Sequence, residues 1–361
     1  MERQLCDNPE THYGSLERKR LSSHGHPLYS MDEYPTNRPM GKFSNADTGI
    51  SRPFTPMDAV QPWIDPHGHH HTITWRQHEE FDISGCVAVI MAGGLANESP
   101  YRPMHADDVR GGWDRVIRMS HILARTHAFD AYASIGIHTS LGPVEGIETL
   151  FDVFPEYAAL PEVVSISETG ISMVQEYERV PIETQRDIVR RQLGIADEFG
   201  LPAVLHTPTL SKGIDEYAEK STEAHDSGGR ILEPQTAKVD AAKIDVELAN
   251  EAGLPEDRLA FTHANQTLAE WVLEHTDCYV SFTVGNVTRN ISAHDIAPVV
   301  EEYGGDRVMI DSDSAGHKGL EPFAVKRTML DLLRRGIDPE IVRQITYGNQ
   351  RSLFDLDALP A

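Results

Sequence analysis

Short apolar runs alternate with amphipathic stretches along the chain from Gln61 to the C-terminus. Runs of this length indicate strands buried on both faces, as parallel strands beneath crossover helices are. We find eight of them: WIDPHGH, GCVAVIMAGG, DAYASIGIHTS, VVSISETG, PAVLHTP, LAFTHAN, CYVSFTVG and RVMIDSDS. The pattern therefore predicts eight strands.

The stretches between these runs carry apolar residues at helical spacing. In 183–200, Ile188, Leu193 and Phe199 lie on one face above charged neighbours. Gly200 is placed to end that helix, because glycine is favoured just after a helix C-terminus. The same pattern predicts helices at 107–127, 145–159, 235–252, 266–276, 292–303, 322–336 and 339–347.

Regular alternation of strands and helices predicts the α/β class and a closed (β/α)₈ TIM barrel. Such a barrel needs about 250 residues, and residues 61–361 supply them with room for longer loops. We expect this segment to form one catalytic domain.

Residues 1–60 form an N-terminal extension of a different composition. Prolines, histidines, serines and charged residues occur there without apolar periodicity. The segment lacks the apolar core of a signal peptide and any run long enough to span a bilayer. It is interpreted as a poorly ordered arm, with wrapping around a neighbouring subunit of a homo-oligomer as the alternative.

The composition indicates the cellular environment of the protein and limits the molecules it is expected to bind. The formal net charge is −24, and only eight of the 32 basic residues are lysines. An acidic, lysine-poor surface is typical of soluble proteins from a saline cytoplasm. It argues against broad affinity for nucleic acid, because the one basic cluster, 18–20, lies in the extension. Three unpatterned cysteines indicate a reducing cytoplasm and no disulfide framework.

Metal-binding residue types end five of the eight apolar runs. Barrel enzymes carry their chemistry at the carboxyl ends of the strands, so these residues should converge. The candidate ligands are His67, His69, Glu168, His206, His263 and Asp313. This inventory is typical of a two-metal hydrolase.

Each candidate also has a simpler interpretation. His67 and His69 lie on one face of a strand and can reach one ion, but with His70 and His71 they could form an exposed histidine cluster. A lone strand-end histidine, such as His206, is more often a hydrogen-bonded core residue than a ligand.

The carboxylates carry their own alternatives. Glu168 would be costly in the barrel mouth without a cation or a hydrogen-bond donor. Asp311 competes with Asp313, since both lie on the same face of their strand. We favour Asp313 as ligand and base because it lies nearer the mouth, with Asp311 orienting a histidine ligand or a water.

From Trp63 to the C-terminus the chain resembles the TatD family of metal-dependent hydrolases, in the amidohydrolase superfamily. The motifs that carry the resemblance are Asp65-x-His67-x-His69, Ser167-Glu168-Thr169-Gly170, the glutamine-containing helix before His206, Asp311-Ser312-Asp313, and Asn349 with Leu353 and Phe354. The segments LHTPTLSKG and GLEPFAVKRTML are similar to the divergent Ebo-type branch of TatD-related proteins.

The resemblance implies a role for each ligand. His67, His69 and Asp313 would hold one divalent ion, His206 and His263 the second, with Glu168 shared between them. It also implies that His138, in GIHTS, lies beside the substrate. The residues after His263 and Asp313 depart from the family pattern, which puts DNase activity in doubt.

Two divalent ions would activate a water at neutral pH and polarise the scissile group. The candidate catalytic residues are Asp313, as acceptor of the water's proton, and Glu168. Mixed nitrogen and oxygen donors fit zinc, with manganese or magnesium as alternatives. Loop cations could bind a phosphate or carboxylate of the substrate, or could simply be solvated: Lys212, Arg289, His294, His317 and Lys318.

The leading hypothesis is therefore a hydrolase acting on a small phosphoester, amide or lactone. The alternatives are a metal-dependent sugar-phosphate isomerase on the same barrel, a TatD-type DNase, and a non-catalytic metal-binding protein. The expected partner is a small molecule, with no membrane involved.

Overall fold

The computed structural model describes residues 57–93, 104–139, 145–172, 181–207, 234–285, 291–316 and 321–359. The predicted extension lies outside these ranges except for its last four residues, 57–60. No helix among the described residues is long and apolar enough to cross a membrane.

Eight parallel strands pair in sequence order and form a nearly closed barrel, which confirms the predicted fold class. The strands are β1 Trp63–Gly68, β2 Cys86–Ala92, β3 Asp130–Ile135, β4 Val163–Thr169, β5 Ala203–His206, β6 Leu259–Thr262, β7 Tyr279–Thr283 and β8 Val308–Asp311. Nearly every strand residue is buried, as expected of strands covered on both faces.

Helices connect the strands and cover the outside of the barrel. They are α1 Trp75–Ser84, α2 Ala106–Thr126, α3 Ile147–Ala158, α4 Ile182–Phe199, α5 Pro234–Ala252, α6 Gln266–His275, α7 Ala293–Tyr303, α8 Ala324–Arg335, α9 Pro339–Arg343 and α10 Asn349–Leu353. Gly200 follows α4 in the left-handed conformation and donates its N–H to the last turn, as predicted.

The structure departs from the predicted helices at two places. Helix α1 was not predicted, because apolar Trp75 and Ile83 are exposed on it while polar His78 is buried. A capping box between Thr74 and Gln77 was the local signal for its start. The predicted helix 339–347 is instead α9 followed by a π-helical turn, Gln344–Gly348, and α10.

The C-terminal segment fills the amino end of the barrel. Strand residues of the barrel interior form a cluster with residues beyond the last strand: Tyr347, Leu353, Phe354, Leu356 and Leu359. The Asn349 amide donates to the carbonyls of Gly305 and Val308 and ties this segment to β8. The asparagine, leucine and phenylalanine of the sequence motif therefore close one end of the barrel and leave the other end for chemistry.

The seam between β1 and β8 is closed by hydrogen bonds at the carboxyl ends of the two strands. The Asp313 N–H donates to the His67 carbonyl at 3.0 Å, and the His69 N–H donates to the Ser314 carbonyl at 2.7 Å. Three of the predicted ligands are therefore held against one another by backbone bonds.

The buried side chain of Asp65 reinforces this seam. Its fully buried carboxylate accepts the Ser312 N–H at 3.0 Å and the Ser312 hydroxyl, and it bonds His70 Nε2 at 2.9 Å. The Ser312 hydroxyl in turn accepts the Ser314 N–H. The first aspartate of the Asp-x-His-x-His motif is thus explained by its contacts with the segment that carries Asp313.

We predict that Phe354→Ala lowers the free energy of unfolding by about 3–5 kcal/mol, because it leaves a cavity where the ring fills the amino end of the barrel. Urea denaturation of the full chain measures this loss. Ile83→Ala is the control: its side chain is 75% exposed, so a change within about 0.5 kcal/mol is expected. Equal losses in the two variants would contradict the closing role of the C-terminal segment.

Candidate metal centre

All six predicted ligands lie at the carboxyl end of the barrel. His67 and Glu168 are the next-to-last residues of β1 and β4, and His206 is the last residue of β5. His69 and His263 follow β1 and β6 directly, and Asp313 lies two residues beyond the end of β8. All are buried except His206, which is half-buried. The structure therefore brings together the residues that the sequence pattern singled out.

Glu168 lies at the centre of the group. Its Oε1 is 2.9 Å from His206 Nδ1, 3.1 Å from His67 Nε2 and 3.6 Å from His263 Nε2. Its Oε2 is 3.5 Å from His69 Nε2. One carboxylate thus faces nitrogen atoms of four histidines that come from three other strands.

Asp313 faces the first histidine pair. Its Oδ1 is 3.5 Å from His69 Nε2 and 3.9 Å from His67 Nε2. Asp311 is directed differently, because its Oδ2 accepts the Ser281 hydroxyl of β7 at 2.5 Å. Strand β8 ends at Asp311 and Asp313 follows it with a positive φ angle, so the regular strand from which a shared face was predicted does not extend to Asp313.

The backbone around two of the candidate ligands is unusual. His263 and Asp313 adopt positive φ angles of 60° and 43°, which are uncommon for residues other than glycine. Backbone hydrogen bonds stabilise both conformations: the Ala264 N–H donates to the Ser281 carbonyl, and the Asp313 N–H donates to the His67 carbonyl. Conformations of this kind cluster at functional sites, where the surrounding structure maintains them.

Neighbouring side chains fix the rings and strand ends. His263 Nδ1 and the Thr283 hydroxyl share a hydrogen bond of 2.7 Å, which turns Nε2 toward Glu168. Gln192 on α4 donates to the Thr169 hydroxyl at 2.7 Å, directly after Glu168. Outer partners of this type hold metal-binding histidines and carboxylates in place.

Burial and mutual charge set the protonation of the central pair. Burial alone would raise the pKa of Glu168, but the charge of His67 and hydrogen bonds from His206 and His67 outweigh it and hold that pKa well below its usual range. Burial alone would lower the pKa of His67, but Glu168 outweighs it and the pKa rises to about 9. Burial raises the pKa of Asp311 to about 6.

The donor set fits divalent metal. Among the described residues, two groups have ligand atoms that all lie within 4.8 Å of one another: His67, His69 and Glu168, and His138, Glu168 and His206. Nε2 of His263 is buried without a hydrogen-bond partner. A divalent cation would satisfy such donors and offset the buried carboxylates.

The predicted substrate-binding residues are only partly described. His138 lies in the mouth, with its ring centroid 4.4 Å from that of His206. His294 lines a surface depression with Asp331 and Arg334. Lys212, Arg289, His317 and Lys318 lie outside the described residues.

The sequence analysis named Asp65 only as part of a motif and assigned no supporting role to the residues that hold the ligands. Asp65 and His70 at the β1–β8 seam are buried and bonded to each other, although His70 was interpreted only as a member of a possible exposed cluster. Thr283 was not singled out, because a lone strand-end threonine has no distinctive pattern. The run of consecutive histidines was the one available signal for His70.

We predict that metal binding releases a proton at neutral pH. The metal-free centre holds a proton on His67 below about pH 9, and a ligand must give up its proton to bind. Apparent affinity should therefore rise by about tenfold per pH unit toward pH 9 and then level off. Calorimetry in buffers of different ionisation enthalpy measures the release, and an affinity independent of pH over this range would contradict the protonated resting state.

Comparison with known proteins places the chain among metal-dependent hydrolases. An uncharacterized metal-dependent hydrolase of Methanocaldococcus jannaschii is 22% identical over 293 residues, which span 81% of this chain and all of that protein. A TatD family hydrolase from Entamoeba histolytica matches with a TM-score of 0.50 at 13% identity, covering 81% of this chain and 98% of the other. The phosphotriesterase homology protein of Escherichia coli, with phosphate in its active site, matches with a TM-score of 0.53 at 15% identity, covering 83% and 100%.

The family itself follows from the sequence. The profile described as TatD related DNase matches residues 115–355, which is more than half of the chain. The chain belongs to the TatD family and is a metal-dependent hydrolase.

Proposed function

We propose that this protein hydrolyses a small phosphoester, amide or lactone at a two-ion centre built around Glu168. The observation that carries the proposal is the position of that carboxylate, which faces nitrogen atoms of four histidines at 2.9 to 3.6 Å. A purely structural ion pair would need one histidine partner. Four around a single carboxylate indicate ligands arranged for metal.

His67, His69 and Asp313 would hold one ion and His206 and His263 the other, with Glu168 shared between them. Nitrogen and oxygen donors together favour zinc, with manganese or magnesium as alternatives. Bound ions of this kind supply a water activated at neutral pH and polarise a carbonyl or phosphoryl oxygen.

Asp313 is the proposed general base. It is buried at the mouth beside His67 and His69, where its carboxylate can take the proton of the attacking water and return it to the leaving group. Asp311 suits this role less well, because it is engaged by Ser281 deeper in the barrel. In the metal-free centre the surrounding histidines hold the pKa of Glu168 well below its usual range, so Glu168 is already the ionised carboxylate that the ions would share.

A small anionic or neutral substrate suits the chain better than a polynucleotide. The formal net charge of −24 disfavours long-range attraction of a phosphate backbone. A screen of phosphoesters, amides and lactones identifies the bond that is cleaved. Short single-stranded DNA and sugar phosphates belong in the same screen, because they report the DNase and isomerase alternatives.

The proposed setting is a saline cytoplasm. It is supported by the charge of −24, by the presence of eight lysines among 32 basic residues, and by the two buried cysteines, Cys86 and Cys278, which are free thiols. An acidic surface repels itself at low ionic strength, and salt screens that repulsion.

We predict that Asp313→Asn lowers kcat by about 10²–10⁴-fold at saturating metal, with KM changed far less, because the amide can still contact an ion but cannot accept the proton. Steady-state kinetics on the best substrate of the screen, with metal content determined in parallel, measure the effect. Asp311→Asn, two residues away, is the matched control and should retain more activity than Asp313→Asn. A larger loss in Asp311→Asn would transfer the role of base to Asp311.

We also predict that KCl stabilises the protein. Between about 0.1 M and about 1 M salt the screening length falls from about 10 Å to about 3 Å, so the repulsion among surface carboxylates should weaken. Thermal unfolding followed by circular dichroism should show a midpoint that rises with KCl. A midpoint that stays constant or falls would argue against adaptation to a saline interior.

A further inference from the structure

His138 differs in its surroundings from the substrate-contacting residue that the family resemblance implies. It lies three residues beyond the end of β3 and is only 4% exposed. Its ring meets the His206 ring edge to face, with centroids 4.4 Å apart at 63°. It is therefore packed inside the cluster of predicted ligands.

The spacing of its donor atoms fits one ion. The ligand atoms of His138, Glu168 and His206 all lie within 4.8 Å of one another. Donors bound tetrahedrally to zinc at about 2.0–2.2 Å lie about 3.3–3.6 Å from one another, so side-chain movements of about 1 Å would bring all three onto a single ion. The second such group, His67, His69 and Glu168, shares only the glutamate with it.

The backbone on both sides of His138 is fixed to the segment that carries Glu168. The side chain of Gln192 accepts the Ile137 N–H at 2.7 Å and donates to the Ile137 carbonyl at 3.1 Å. The Thr139 hydroxyl donates to the Gly170 carbonyl at 2.6 Å. Residues 137 and 139 are thus both anchored, which is typical of a ligand held in position before the ion binds.

Close backbone contact brings the same two segments together. At Gly136 a Cβ atom would lie 2.7 Å from the Ser167 carbonyl oxygen and 2.9 Å from the Glu168 carbonyl oxygen. Only glycine therefore allows the end of β3 to approach the end of β4 this closely. The glycine of the Gly-x-His sequence places His138 against Glu168.

We propose that His138 is a ligand of the second divalent ion, together with Glu168 and His206. The inference rests on the proposed two-ion centre and changes the expected role of His138 from substrate contact to metal binding. With His263 Nε2 3.6 Å from Glu168 Oε1, the second ion has a histidine-rich donor set. Such a set selects zinc or another late first-row metal over magnesium.

Metal content and affinity test the proposal directly. Wild-type protein, His138→Ala and His71→Ala are freed of metal, loaded with zinc and analysed for zinc per folded chain. His71→Ala is the matched control, since its ring lies at the mouth 6.0 Å from that of His69 but belongs to neither ligand group. We expect His138→Ala to lose the second ion through a fall in affinity of more than about 100-fold, beyond the effect of losing an outer hydrogen-bond partner.

A gain of signal provides the second measurement. In His138→Cys loaded with Co²⁺, a thiolate at position 138 that binds the ion produces a sulfur-to-cobalt charge-transfer band in the near ultraviolet. The band should be absent from wild type and from His71→Cys. This readout does not depend on activity and would not respond to a merely structural role.

The possible outcomes separate the two claims. Wild type with two zinc ions, His138→Ala with one, and the band in His138→Cys support the ligand role. Two ions retained in His138→Ala, with a raised KM, would overturn it and return His138 to the substrate while leaving the two-ion centre intact. Wild type that holds no second ion would overturn both the two-ion centre and the ligand role of His138. If His138→Ala does not fold, His138→Cys decides: binding of both ions without the charge-transfer band would overturn the ligand role.

Discussion

The burial of the Glu168 carboxylate is the constraint on which the rest of the site depends. The residue is 2% exposed, and an uncompensated charge in such a place costs several kcal/mol. Four histidines face it, and the residues around them serve to hold those rings and strand ends in place. The cluster is therefore best understood as one unit in which the carboxylate, the imidazoles and the cations that we propose offset one another.

The same constraint explains how the barrel is closed. Strands β1 and β8 carry the first histidine pair and Asp313, and they are joined by backbone bonds at their carboxyl ends and by the buried side chain of Asp65. A shift along this seam would separate His67 from Asp313. At the opposite end the C-terminal segment packs into the barrel, so the apolar core and the candidate ligands occupy opposite ends of it.

The barrel was predictable because its strands are buried on both faces and are separated by amphipathic helices. The meeting of the six candidate ligands was predictable because they end five of the eight strands, and parallel strands bring their ends together. Helix α1 was not predicted because it exposes the apolar Trp75 and buries the polar His78. This reverses the usual pattern of an amphipathic helix, in which apolar residues are buried.

The finer geometry depends on contacts between distant parts of the chain. Asp311 contacts Ser281, whereas Asp313, beyond the end of β8 and with a positive φ angle, contacts the first histidine pair, and a strand pattern does not reveal this difference. The position of His138 follows from the close approach of β3 to β4 at Gly136 and from the hydrogen bonds that Gln192 of α4 makes to Ile137. Spacing along the sequence carries no information about either contact.

The most direct test of the two-ion centre is anomalous diffraction from a crystal of zinc-loaded wild-type protein, measured on both sides of the zinc absorption edge. Our account predicts two anomalous peaks in the barrel mouth, one on each side of the Glu168 carboxylate. One peak would reduce the centre to a single ion. Peaks confined to surface histidines, with none beside Glu168, would contradict the account.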